Sequence, residues 1–179
     1  MTKLSQKSTQ RRQTRVKPYR RVDSVSTDVY VIDDNVEVVR LYPATSEERI
    51  KYVSTKTNKQ VTPFQFRVYD LCAQRAFEFI ISQLAGCVST YKIMSDALNA
   101  SPRAVGQALR NNPFAPLPIP CHRVVASNFF IGGFDGQWGS GNNICNKKAK
   151  LVKEGLEFDE DDKLAVMFRE TRVFSDFKV

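Results

Sequence analysis

Apolar residues recur at spacings of three and four from Phe66 through Tyr69, Cys72, Ala76, Phe79 and Ile80 to Leu84, which predicts a helix with one buried face over about five turns. Thr62 and Pro63 offer a cap and a first-turn proline for it, and Gly86 marks its end. A second, shorter helix is predicted from Thr90 or Tyr91 to Leu98. After the turn Asn99-Ala100-Ser101, Ser101 caps a third that opens with Pro102 and runs to about Asn111. Two short helices joined by a tight polar turn make a helix-turn-helix candidate. The third helix combines the small residues Ala104, Gly106 and Ala108 with Arg103 and Arg110. Two readings stand: tight helix-helix packing, or a helix pressed into a nucleic-acid groove. Upstream, the β-branched runs of Val29 to Leu41 flank Asp33-Asp34-Asn35 and suggest a short hairpin. Tyr42 to Gln60 is polar and charged, the pattern of a linker or a poorly packed flap.

The 179 residues are 42% hydrophobic, enough for one domain with tails and against a wholly disordered chain. Every long apolar run is interrupted, so a membrane-spanning helix is not expected. Charge changes the picture more. Residues 1–22 carry eight bases and no acid, which equals the whole net charge of +8. From Phe64 to Lys153 there are ten bases against four acids, and from Glu154 onward four against eight. A basic tail on a basic centre, with acids at the flanks, is the pattern of a polyanion binder. The expected organisation is a basic disordered tail (1–22), a reduced N-terminal segment with a hairpin (23–61), a main domain (62–156) and an acidic C-terminal extension (157–179). The tail reads as a solubilising segment, an import signal or a nucleic-acid patch, with an organelle-targeting role less well matched. The four cysteines, with no secretory leader and no C-x-x-C spacing, form neither a disulfide frame nor a zinc site.

Prolines 113, 116, 118 and 120 stiffen the chain before Cys121 and His122, the single histidine. A buried cysteine beside a hydrogen-bonded histidine is the plain reading of that pair. The chemical one is a nucleophile held at fixed depth next to a DNA-reading element.

The stretch Pro120-Cys121-His122-Arg123-Val124 resembles the active-site signature of the O6-alkylguanine-DNA alkyltransferases, the methylated-DNA–protein-cysteine methyltransferases. Thr90-Tyr91, Arg103-Ala104-Val105-Gly106, Asn112-Pro113, Gly132-Gly133 and Lys150 to Gly155 follow the family's order, so the resemblance covers roughly residues 62–156. It implies an α/β (α+β) fold whose C-terminal domain is mainly helical and winged helix-turn-helix-like, with a reduced N-terminal β element. It also implies a monomer that binds duplex DNA and flips O6-alkylguanine into a pocket, moving the alkyl group irreversibly to Cys121. His122, acting through water and steadied by Glu154, would be the base that the thiol needs. Tyr91 would hydrogen-bond guanine N3, and Asn112 would join the recognition helix to the active-site loop or simply cap the helix. On the DNA side stand Arg103, which fills the gap left by the extruded base, with Ala104, Gly106, Arg110 and Arg123. Pro120, Val124, Phe134, Asp135 and Lys147 belong to the substrate pocket, Lys148 and Lys150 lying close to the last.

This chain departs from the family at Phe134, where a tyrosine is common, and at Asp135, where a serine is usual. A carboxylate near a developing oxyanion is unhelpful unless only its backbone serves. Extra residues fall near Ala76 to Leu84 and Gln137 to Asn146. No cofactor or metal is implied, and the expected compartment is the nucleus. The rival readings are a lesion-binding protein that leaves the base alkylated, a helix-turn-helix regulator and a cysteine hydrolase. Cys121 speaks against the first, and the basic helix is unexplained by the last.

Overall fold

In the computed structural model, which describes residues 40–82, 86–139 and 141–179, helix α2 (Pro63–Ser82) starts where the cap pattern places it. The Thr62 hydroxyl accepts from the Gln65 amide at 3.2 Å, and the Gln65 side chain accepts from the Thr62 amide at 2.8 Å. Phe66, Tyr69 and Cys72 are buried as the periodicity requires, together with Val68 and Leu71. The side chains of the later positions of that face lie outside the described residues, as do the basic tail and the hairpin read in Val29 to Leu41, up to residue 39.

A helix stands in the stretch read as linker or flap. Helix α1 (Ser46–Lys51) opens with a reciprocal capping box between Thr45 and Glu48. Arg49 then forks onto Asp70 of α2 at 2.8 and 2.7 Å, and the Tyr42 hydroxyl donates to the same carboxylate at 2.7 Å. The rings of Tyr42 and Tyr52 each lie 4.9 Å from that of Phe114. Polar composition hid this packing because aromatic rings and a single buried-edge ion pair, rather than an apolar stripe, carry it.

Helices α3 (Tyr91–Ala97) and α4 (Pro102–Arg110) form the helix-turn-helix. Thr90 caps the first and Ser101 the second, each accepting from the amide three residues on. Asn99 takes the left-handed turn conformation between them. Val105, Ala108 and Leu109 seat α4 in the core, and the Tyr69 hydroxyl donates to the Ala108 carbonyl at 3.0 Å. One sheet is present among the described residues, a parallel pair of β1 (Ser89–Thr90) and β2 (Val124–Val125). The fold is therefore α+β and mainly helical. Its short sheet has one large effect: it sets Tyr91, which follows β1, beside the 3₁₀ turn Cys121–Arg123, which precedes β2.

Helix α5 (Asn142–Lys153) closes at Gly155, whose φ of +85° is the left-handed conformation of a helix C-terminus. Leu151, Leu156 and Leu164 form a second core with Val88 and Val125. Residues 157–179 pack against this body. Ile131 donates to the Asp162 carbonyl, and Phe174 donates to that of Val88. Helix α6 (Val166–Thr171) lies on this face.

Candidate active site

The proline-rich turn is braced by one side chain. The Asn112 amide donates to the Ile119 carbonyl at 3.0 Å while its oxygen accepts from the Phe114 amide at 2.9 Å. Burial raises the Cys121 pKa, and the Asn112 side chain together with the Lys147, Lys56 and Lys150 charges acts in the opposite direction. At neutral pH the group is a thiol that needs a base.

His122 is the neighbouring candidate. Its Nε2 lies 2.8 Å from Glu154 Oε1, and Arg123 grips the same carboxylate through Nε at 2.9 Å and Nη2 at 3.0 Å. Burial pushes the Glu154 pKa up, yet the hydrogen bonds from His122 and Arg123 prevail and hold it below the ordinary range. Burial also lowers His122, against the pull of Glu154. The consistent state is a neutral imidazole donating its Nε2 hydrogen to a carboxylate, which leaves the lone pair on Nδ1. Glu154 caps α5, and Gly86 presses against it: a Cβ on Gly86 would stand 2.8 Å from Glu154 Cβ.

A cleft of about 470 Å³ opens above the thiol. Cys121 and Tyr91 lie inside it, α4 forms one wall with Arg103, Gly106 and Arg110, and residues 133–138 form the other. The Tyr91 hydroxyl donates to the Gly133 carbonyl at 3.2 Å, and burial raises its pKa, so the phenol keeps its proton. Phe134 and Asp135 stand on the lip, in a tight hairpin where Phe134 and Gln137 exchange both backbone hydrogen bonds. Asp135 and Gly136, its two turn residues, both have positive φ.

Several expected roles change. Arg123, placed on the DNA side by the resemblance, is buried and its guanidinium is held by Glu154, so it orients the carboxylate instead. Pro120 and Val124 are buried and line a separate small cavity on the far side of the turn. Lys147 is fully buried behind the lip, where its ammonium donates to the carbonyls of Val124 and Ile131 at 2.7 Å and of Gly133 at 3.4 Å. It fastens the cleft wall from behind. Ala104 is half-buried and stands outside the cleft lining. Gly106 lies over the Tyr91 ring, at ordinary contact distance for an added Cβ.

Two further contributors carry a sequence signal and a third carries none. Asp135-Gly136, between Phe134 and Gln137, marks the two-residue hairpin. Trp138, exposed at the cleft edge and close against Gly133, lies in the Gly-rich segment that read only as extra length. Lys56, whose ammonium lies 2.6 Å from Asp135 Oδ1, carried no local pattern at all. Among the described residues no cluster of metal-ligating side chains is found, and no helix is long and apolar enough to cross a membrane.

Residues 63–156 match the family described as the 6-O-methylguanine DNA methyltransferase, DNA binding domain. The chain is similar to the methylated-DNA–protein-cysteine methyltransferase of Thermococcus kodakarensis, 40% identical over 97 residues, covering 54% of this chain and 47% of that one. It is likewise similar to that of Saccharolobus solfataricus, 47% identical over 75 residues, covering 42% and 44%. The chain thus spans about half the length of the curated relatives it matches. Among solved structures, the O6-methylguanine-DNA methyltransferase of the archaeon Pyrococcus kodakaraensis KOD1 is 39% identical, covers 55% of this chain and 50% of that chain, and gives a TM-score of 0.42.

Proposed function

The chain belongs to the 6-O-methylguanine DNA methyltransferase family, and on that premise we propose that it repairs O6-alkylguanine in duplex DNA by taking the alkyl group onto Cys121, acting as a monomer and once per molecule. The observation that carries this reading is the placement of the Cys121 thiol in the floor of a cleft walled by the basic helix α4, next to the buried His122–Glu154 pair. A structural cysteine needs neither the opening nor the base.

In the proposed reaction α4 seats in the minor groove and Arg103 fills the space of the extruded guanine. The thiol proton passes through a water to His122 Nδ1, and the resulting charge is stabilised by Glu154. Sγ then attacks the alkyl carbon. The S–C bond forms as the C–O6 bond breaks, and the electron pair stays with the guanine. Tyr91 donates a proton at N3, so that the hydrogen lost by the thiol is balanced by one gained by the base. The product is a thioether, which no group in the site can cleave. Residues 1–22 are proposed to add phosphate affinity and to direct the protein to the nucleus.

The test is mass spectrometry of the intact protein and its peptides after mixing with excess duplex containing O6-methylguanine. One methylene added at Cys121, without further turnover, is the expected result. An unchanged mass with tight lesion binding overturns transfer in favour of lesion sensing, and an unchanged mass without lesion preference favours a regulator.

A further inference from the structure

Asp135 puts a carboxylate on the lip of a cleft that has to receive a polyanion and release a guanine gathering negative charge, and its nearest partner comes from far away in sequence. The Lys56 ammonium lies 2.6 Å from Asp135 Oδ1 and 2.6 Å from the carbonyl of Arg110, in the last turn of α4. It thus touches both walls of the cleft at once. That carbonyl belongs to the negative end of the helix, a place that favours a cation. Gly136 supports the same junction: a Cβ there would stand 2.9 Å from Arg110 Nε, so the hairpin tip rests directly on the Arg110 side chain. Lys56 itself sits in a short loop held between the Val53–Gln60 bridge, where the Ser54 hydroxyl accepts from the Lys56 amide. The segment that lacked any pattern of its own therefore delivers one charge to the mouth of the site.

We infer that Lys56 is a positioning residue for alkyl transfer, anchored on the Arg110 carbonyl so that it neutralises Asp135 at the lip of the cleft. This rests on the reaction proposed above. With Lys56 in place the Asp135 charge is compensated before DNA arrives. Without it an uncompensated carboxylate faces the developing negative charge of the leaving guanine and raises the barrier of the transfer step. A lysine that merely touched a DNA phosphate would change how much duplex is needed, not the rate once the site is full.

The experiment is single-turnover transfer from O6-methylguanine duplex, followed by mass at Cys121 over a range of duplex concentrations, for the parent protein, Lys56→Ala, Asp135→Asn and the double variant. Thermal unfolding of each checks that the half-exposed substitutions leave the fold intact. Lys56→Ala is expected to slow the saturated rate roughly three- to tenfold, in line with a partly exposed ion pair beside developing charge. Removing Lys56 from the Asp135→Asn background should change the saturated rate by less than about twofold, whatever rate Asp135→Asn itself shows. A saturated rate unchanged in Lys56→Ala, or a loss on removing Lys56 that is as large in the Asp135→Asn background as in the parent, overturns the inference while leaving the transfer reaction standing. A parent protein that takes no methyl group overturns both.

Discussion

His122 and Glu154 meet at 2.8 Å although they are 32 residues apart, and Arg123 forks onto both oxygens of the same carboxylate. The arrangement joins the start of β2 to the end of α5, so a change at Glu154 is felt in both stability and chemistry. Glu154→Gln removes the charge that balances the buried Arg123 guanidinium. A loss of about 3 kcal/mol in unfolding free energy is expected by denaturant titration. Transfer to Cys121 should slow by about 10²-fold or more, because the imidazolium loses its stabilising partner.

The pH dependence of transfer follows from the same pair. Burial lowers the His122 pKa from 6.5, so the neutral, proton-accepting form persists through neutral pH. The rate should stay level as pH falls from 7 and decline only below 6.5, as the ring takes up a proton and can no longer accept one from the thiol. Stability changes in the same direction. An unfolded chain protonates at the ordinary value while the folded one resists, so the contribution of His122 is intact above 6.5 and falls away below it. A rate that already halves above pH 6.5 would contradict a buried neutral base.

Gly86 is required by proximity, not by its backbone angle. A Cβ at this position would lie 2.8 Å from Glu154 Cβ and 3.2 Å from the Glu154 carbonyl oxygen, and the Gly86 amide already donates to that oxygen at 2.6 Å. Gly86→Ala must push the end of α5 away. It should cost about 1–3 kcal/mol and slow transfer by moving the carboxylate off His122, whereas Gly139→Ala, which meets nothing within 4 Å but has a φ of +70°, should cost about 1 kcal/mol through backbone strain and leave the relay untouched. Thermal melts and transfer rates of the two variants decide this.

The local rules found the helices because they act over three or four residues. Thr62-Pro63, Thr90 and Ser101-Pro102 begin α2, α3 and α4 at the expected places. Cys121 and His122 were legible as a pair because prolines isolate them and because Pro120 to Val124 resembles a family signature. What escaped are partnerships between distant segments. Lys56 reaches Asp135 across 79 residues, and Arg123 turns inward to Glu154 across 31. No periodicity encodes either, since each depends on how whole elements are stacked. Helix α1 is a different case, for Thr45 and Glu48 did spell out a capping box and the surrounding charge obscured it.

Lys147 is the least expected member of the site, a fully buried cation with carbonyls as its partners. Burial lowers its pKa from 10.5 to about 7. Lys147→Met fills similar volume but strips the Val124, Ile131 and Gly133 carbonyls of a donor, at a cost of about 1–3 kcal/mol for each one left without a partner. The effect should grow with pH. Between about 7 and 10.5 the unfolded chain binds a proton at this residue that the folded one does not, so the stability of the parent rises with pH through this window while that of the variant lacks the contribution. An uncharged amine keeps two hydrogens, enough for the contacts at 2.7 Å. Urea unfolding at pH 7 and pH 9 should therefore show the gap between parent and Lys147→Met widening by about 2 kcal/mol. A constant gap would mean that Lys147 keeps its proton throughout, with the surrounding carbonyl dipoles outweighing the cost of burying it.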